Sequence, residues 1–82
     1  MKAIRFTRHA RNRMRWHEID EELIRRALDT PDWEDPSVPD RRNRWKRVAD
    51  RFLRVTYREE LERIVVISAV FKRRPPGRRG EP

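Results

Sequence analysis

Apolar residues recur at helical spacing early in the chain and switch to the alternation of strands past its midpoint. Leu23, Ile24, Ala27 and Leu28 form one helical stripe, Asp20 stands where an N-cap belongs, and Glu21 and Glu22 suit the positive end of the dipole. Thr30-Pro31 closes that helix. Before it, Ala10 and Met14 share the inner stripe of a first helix that Thr7 can cap, entered from a brief edge strand at Lys2 to Phe6. So few residues join the helices that they should form a helical hairpin.

Pro31 to Asp40 has no periodicity and is rich in proline and acid, so it reads as a surface loop. Strand-like runs follow at Arg44 to Val48, Arg51 to Arg58 and Arg63 to Phe71, separated by Ala49-Asp50 and by Glu59 to Glu62. Such short connections predict an antiparallel meander. Ile64 to Phe71 is apolar on both faces and is expected to be the central strand. The expected fold is α+β: a helical hairpin packed on a three- to four-stranded antiparallel sheet, one domain over residues 1–72. Residues 73–82, rich in proline, glycine and charge, should be a basic tail that is disordered when free.

With even-length turns, Lys46, Leu53, Val55, Tyr57, Ile64, Val66 and Ser68 share one sheet face, and Trp45, Arg47, Phe52, Arg54, Thr56, Val65 and Ile67 the other. Both sets are partly apolar, so the pattern leaves open which face receives the helices, and a single bulge would exchange them.

Charge narrows the partner class. The chain has 82 residues, a net charge of +8 and 22 basic residues, of which only Lys2, Lys46 and Lys72 are lysines. Arginine forks bind phosphate bidentately, which makes nucleic acid, or an acidic protein mimicking it, the leading partner. Half of that net charge lies after Phe71, and a GC-rich genome would also write arginine freely. The absence of cysteine excludes disulfides and thiolate metal sites. With no apolar run long enough to span a membrane and no signal core at the N-terminus, a cytoplasmic location is the default expectation. Zinc spacings, glycine-rich phosphate loops and nucleophile triads are missing, so neither metal nor cofactor is expected.

The strings FTRHARNRM, EIDEELIRRALDTPD and RWKRVADRFLRVTYREELERIVVISAV resemble a small bacterial family, domain of unknown function 4258, over roughly residues 5 to 72. That family is similar to a distant branch of the RelE-type and barnase-type ribonuclease fold, many of whose members are toxins of toxin-antitoxin pairs. The resemblance falls on His9 and Arg13 and on Arg54-x-x-Tyr57. Two departures are visible: Trp16-His17 replaces an Arg-Gly-like turn between the helices, and Ala49-Asp50 replaces a Gly-Gly or Asp-Gly hairpin.

Metal-free RNA cleavage needs a base for the 2′-hydroxyl, an acid for the leaving oxygen and cations around the phosphate. His9, Arg13, Lys46, Arg54 and Tyr57 supply those types: His9 as base, Arg13 and Arg54 as phosphate clamp, Lys46 as stabiliser and Tyr57 as an orienting or stacking group. Arg8, Arg11, Arg15, Arg47, Lys72, Arg73 and Arg74 would hold the strand. Structural roles compete for each. His9 can bond a backbone carbonyl or Glu18 to Glu22, Arg13 can pair with the second helix or with residues 32–35, Tyr57 sits where a strand packs, and Trp16, Trp33 and Trp45 can serve core or interface.

The expected function is a toxin-like, metal-independent endoribonuclease, with RNA as substrate, the ribosome as one possible setting, and an acidic antitoxin as inhibitor. The alternatives are a non-catalytic nucleic-acid-binding module and a protein-interaction module.

Overall fold

The computed structural model describes residues 2–77. Its elements run β1 (Ala3–Phe6), α1 (Arg8–His17), α2 (Glu21–Asp29), β2 (Trp33–Pro36), β3 (Arg42–Val48), β4 (Arg51–Glu59) and β5 (Arg63–Lys72). The expected tail is described only as far as Gly77; residues 78–82 lie outside the described residues.

Both helices start and stop for local reasons. The Thr7 hydroxyl accepts from the Ala10 amide at 3.1 Å, and Asp20 Oδ1 accepts from the Leu23 amide at 2.9 Å. Helix α1 ends in a Schellman arrangement: Glu18 is left-handed (φ 57°, ψ 47°), its amide donates to the Arg15 carbonyl, and the Ile19 amide donates to Met14 at 2.8 Å. Met14 and Ile19, whose apolar contact accompanies such a cap, are both buried in the core. The end of α2 is held from outside: Lys46 Nζ donates to the Thr30 carbonyl at 2.7 Å, and Arg44 Nη1 donates to the Leu28 carbonyl.

The sheet has five strands in the order β1-β5-β4-β3-β2, with β1 parallel to β5 and the other pairs antiparallel. This corrects the expected three- to four-stranded antiparallel sheet in two ways. The edge strand at the N-terminus pairs in parallel, because the two helices carry the chain across the sheet before the meander begins. The proline- and acid-rich stretch is no mere loop, because Trp33 to Pro36 pair with Trp45 to Arg42. Its side chains outweigh its poor strand propensity: Trp45 Nε1 donates to Asp35 at 2.8 Å, Asp32 accepts the Arg47 amide at 2.8 Å, and Glu34 pairs with Arg44 at 3.2 Å. Pro36 is tolerated because β2 lies at the edge. The middle of the sheet is β4 rather than β5.

The β3–β4 hairpin has the expected register, Lys46 opposite Leu53 and Trp45 opposite Arg54, with Ala49 taking the turn at φ 57°. In the second hairpin Tyr57 pairs with Val66 but Thr56 pairs with Ser68, so Ile67 is a bulge. The bulge leaves Ile64 and Val66 on the face of Leu53, Val55 and Tyr57 as expected, and that face receives the helices. It turns Ser68 outward and brings Ala69 and Phe71 inward, correcting the expected face of Ser68. The Ile67 carbonyl is not left unmet, since Thr7 Oγ1 donates to it at 3.2 Å while the Thr7 amide donates to Val66 at 3.1 Å. One threonine therefore caps α1 and fastens it to the bulge.

The helices cover one face only. Ala10, Met14, Ile19, Ile24, Ala27 and Leu28 pack on Leu53, Val55, Tyr57, Ile64, Val66 and Ala69, with Ile4, Phe6 and Phe71 at the margin. Among the described residues no helix is long and apolar enough to cross a membrane.

Candidate nucleic-acid interface

The face of the sheet turned away from the helices holds two adjacent rows of side chains, fixed by strand register. One row runs Trp33, Trp45, Arg54, Val70 across β2, β3, β4 and β5. The next runs Asp35, Asn43, Thr56, Ser68. An aromatic and cationic row thus lies against a row of hydrogen-bonding groups. Arg47, Phe52 and Lys72 extend the face at one end, and Arg58 and Arg5, flanking Val65, extend it at the other.

Arg54 stands near the middle of this surface. Its guanidinium lies 5.9 Å from the centre of the Trp45 ring, a cation–π contact. Its Nε is buried with no hydrogen-bond partner, and among the described residues no carboxylate forms an ion pair with it. A buried donor without an acceptor costs about 1–3 kcal/mol, so a group that supplies one is favoured at this position. The surroundings are rigid: Trp45 is 6 % exposed and tied to Asp35, Thr56 Oγ1 donates to Asn43 Oδ1 at 2.7 Å, and Trp33 meets Phe52 edge to face at 5.6 Å. Trp33 keeps 38 % of its surface open to solvent, enough to stack a base.

The five residues expected to be catalytic do not share one site. His9 and Arg13 lie exposed on the solvent side of α1, and neither has a side-chain hydrogen bond among the described residues. The ion pair between the helices is made instead by Arg11, which meets Glu21 at 2.7 Å and lies 4.6 Å over the Phe6 ring. Lys46 holds the end of α2. Tyr57 is 1 % exposed on the helix side, with Arg44 stacked 5.0 Å above its ring. Arg54 alone belongs to the open face, and Tyr57, three positions on, faces the opposite side.

Of the expected strand-holding cations, Arg47 and Lys72 lie on the open face, Arg8 and Arg15 are exposed on α1, and Arg73 and Arg74 are exposed beyond β5. Trp16, 80 % exposed, is neither core nor part of the open face. Sequence reasoning missed Asp35, Asn43 and Ser68 as members of this surface. Asp35 was legible only once β2 was known to be a strand, and Ser68 only once the bulge was known.

Two carboxylates at the β4–β5 turn are shifted by their partners. Hydrogen bonding from Lys2 holds Glu59 below the usual carboxylate range, and hydrogen bonds from Arg63 and Arg58 do the same for Glu60. These are turn-fastening pairs, remote from the two rows.

No curated protein and no solved structure matches this chain significantly. A family model does, over residues 6–71, and its description is domain of unknown function (DUF4258). The match takes in α1, α2 and all of the meander up to Phe71, including every member of the two rows, and the chain belongs to the DUF4258 family.

Proposed function

We propose that this domain binds single-stranded RNA across the open face of its sheet, with a phosphate held at Arg54. The observation that carries the reading is the buried, acceptor-less Nε of Arg54 on a surface otherwise lined by aromatic rings, hydroxyls and cations. A flat sheet with rings and cations suits splayed single strands, whose bases stack while the backbone meets arginine. A duplex hides its base faces and would use the cations alone. Thr56 and Ser68 are partly open and offer groups for sugar hydroxyls and base edges, while buried Asn43 orients the Thr56 hydroxyl.

A second reading, the toxin-like metal-independent endoribonuclease, is favoured by one feature of the same face. Asp35 places a carboxylate in the row beside Arg54, so a proton acceptor and a phosphate-binding cation share one surface without His9. The RelE-type resemblance and an acidic antitoxin belong to this reading.

Fluorescence anisotropy with a labelled single-stranded RNA of about a dozen nucleotides, beside the same strand in a duplex, tests both. The single strand should bind more tightly, Arg54→Ala should weaken it roughly tenfold or more, and Arg54→Lys should recover only part of the loss. Absence of binding, or equal binding by wild type and Arg54→Ala, would refute the reading. Mapping RNA ends after incubation in chelator decides on cleavage. Cuts abolished by Asp35→Asn, with binding retained, establish the nuclease; intact RNA leaves a binding module.

A further inference from the structure

The outer edge of β5 is covered for less than half its length. Residues Arg63 to Val66 pair with β1, but from Ser68 to Lys72 the strand pairs with β4 alone, and among the described residues no strand lies on its other side. The bulge at Ile67 and the departure of the chain into α1 at Thr7 mark where the cover stops. Natural sheet edges are usually protected by charge, proline or a very short strand. Here Ser68, Ala69, Val70 and Phe71 carry no such protection, and the prolines come only at Pro75 and Pro76. Composition suited to an interior strand thus lies along an edge with no strand partner.

Charge identifies the partner. Arg8 begins α1 where the covered half ends, Arg51 lies 4.1 Å over the Phe71 ring, and Lys72, Arg73 and Arg74 follow directly. Among the described residues none of these five cations forms an ion pair with a carboxylate. A second copy of the chain would bring like charges together. We infer that the free edge of β5, Ser68 to Lys72, is a docking site for an extended acidic segment of another protein, which adds a strand in line with β1 and pairs its carboxylates with the flanking arginines and lysine. Five residues of edge span about 17 Å, which fits a segment of about five to seven residues.

The edge stands on its own geometry. One consequence depends on the RNA reading: Ser68 and Val70 end the rows that hold Thr56 and Arg54, so an acidic strand beside them would compete with RNA phosphate.

The test uses the full chain, isotopically labelled, with a synthetic peptide of alternating glutamate and valine, and the same peptide N-methylated at every backbone amide. The methylated form keeps the charge but cannot pair as a strand. The plain peptide should slow hydrogen exchange at amides within 68–72, the methylated one should fail to bind, and Arg8→Glu with Lys72→Glu should weaken binding at least roughly tenfold. Equal binding of the two peptides, protection confined to other strands, or no binding at millimolar peptide overturns the assignment. Dimerisation of the free protein through this edge, seen by sedimentation, also overturns it, because a second copy is then the occupant. RNA affinity of the wild-type chain, measured in parallel, separates failure of the edge from failure of the open face.

Discussion

At the residue scale, Arg54 shows what a desolvated donor costs the fold. Its Nε is desolvated without an acceptor, so replacing it with an apolar side chain of similar length removes the penalty. Arg54→Met is expected to raise stability by about 1 kcal/mol in urea unfolding while lowering RNA affinity, the trade seen where a site is kept at a cost to the fold. A fall in stability would mean that the stacking on Trp45 outweighs the unmet donor. Glu18 is a different residue-scale case, since a left-handed helix cap strains any residue with a Cβ. Glu18→Gly should stabilise by about 0.5–1 kcal/mol after the greater unfolded-state freedom of glycine is subtracted, measurable by the same unfolding curves.

At the element scale, two cations of β3, Arg44 and Lys46, belong to the architecture. Arg44 and Lys46 hold the last carbonyls of α2, where positive charge also complements the dipole. Arg44→Ala should cost about 1.5–3 kcal/mol, because it removes a charged hydrogen bond to the Leu28 carbonyl together with the packing over Tyr57. Lys46→Ala, at an exposed contact, should cost about 0.5–1 kcal/mol and leave RNA affinity nearly unchanged. A large loss of binding without loss of stability would return Lys46 to the functional site. The β4–β5 turn responds to acid. The lowered pKa values of Glu59 and Glu60 mean that their pairs with Lys2, Arg58 and Arg63 contribute above the ordinary glutamate range. That contribution is lost as pH falls through the lowered folded values. Protection factors at residues 59–63, taken against the intrinsic exchange rate at each pH, should therefore fall toward low pH, and Glu60→Gln should remove much of that dependence.

At the scale of the whole molecule, the helices cover one face of the sheet and leave the other to the proposed RNA site. If the open face follows RNA phosphates, log affinity should fall linearly with log salt, and Arg54→Ala should flatten the slope by about 0.7, the share of one phosphate on a single strand. An unchanged slope would place the phosphate contacts elsewhere, on α1 or beyond β5. Much of the architecture was legible in the chain. The stripes at Ala10 and Met14 and at Leu23 to Leu28, the caps Thr7 and Asp20, and the three-strand meander depend on local periodicity and short-range hydrogen bonds, which sequence displays directly. The family, too, was legible, through motifs spread over the same elements. Tertiary structure alone decided the rest, because each point turns on a partner distant in sequence. Trp33 to Pro36 become a strand only because Trp45 and Arg44 receive them, and β1 runs parallel to β5 only because two helices intervene. The candidate site divides along the same line. The residue types for binding phosphate were visible, but not which of them would meet, since a bulge at Ile67 and the one-sided packing of the helices assign Arg54 and Ser68 to the open face and Tyr57 to the core. A strand's alternation states that two faces exist; only the packing of other elements against one of them determines which face remains open.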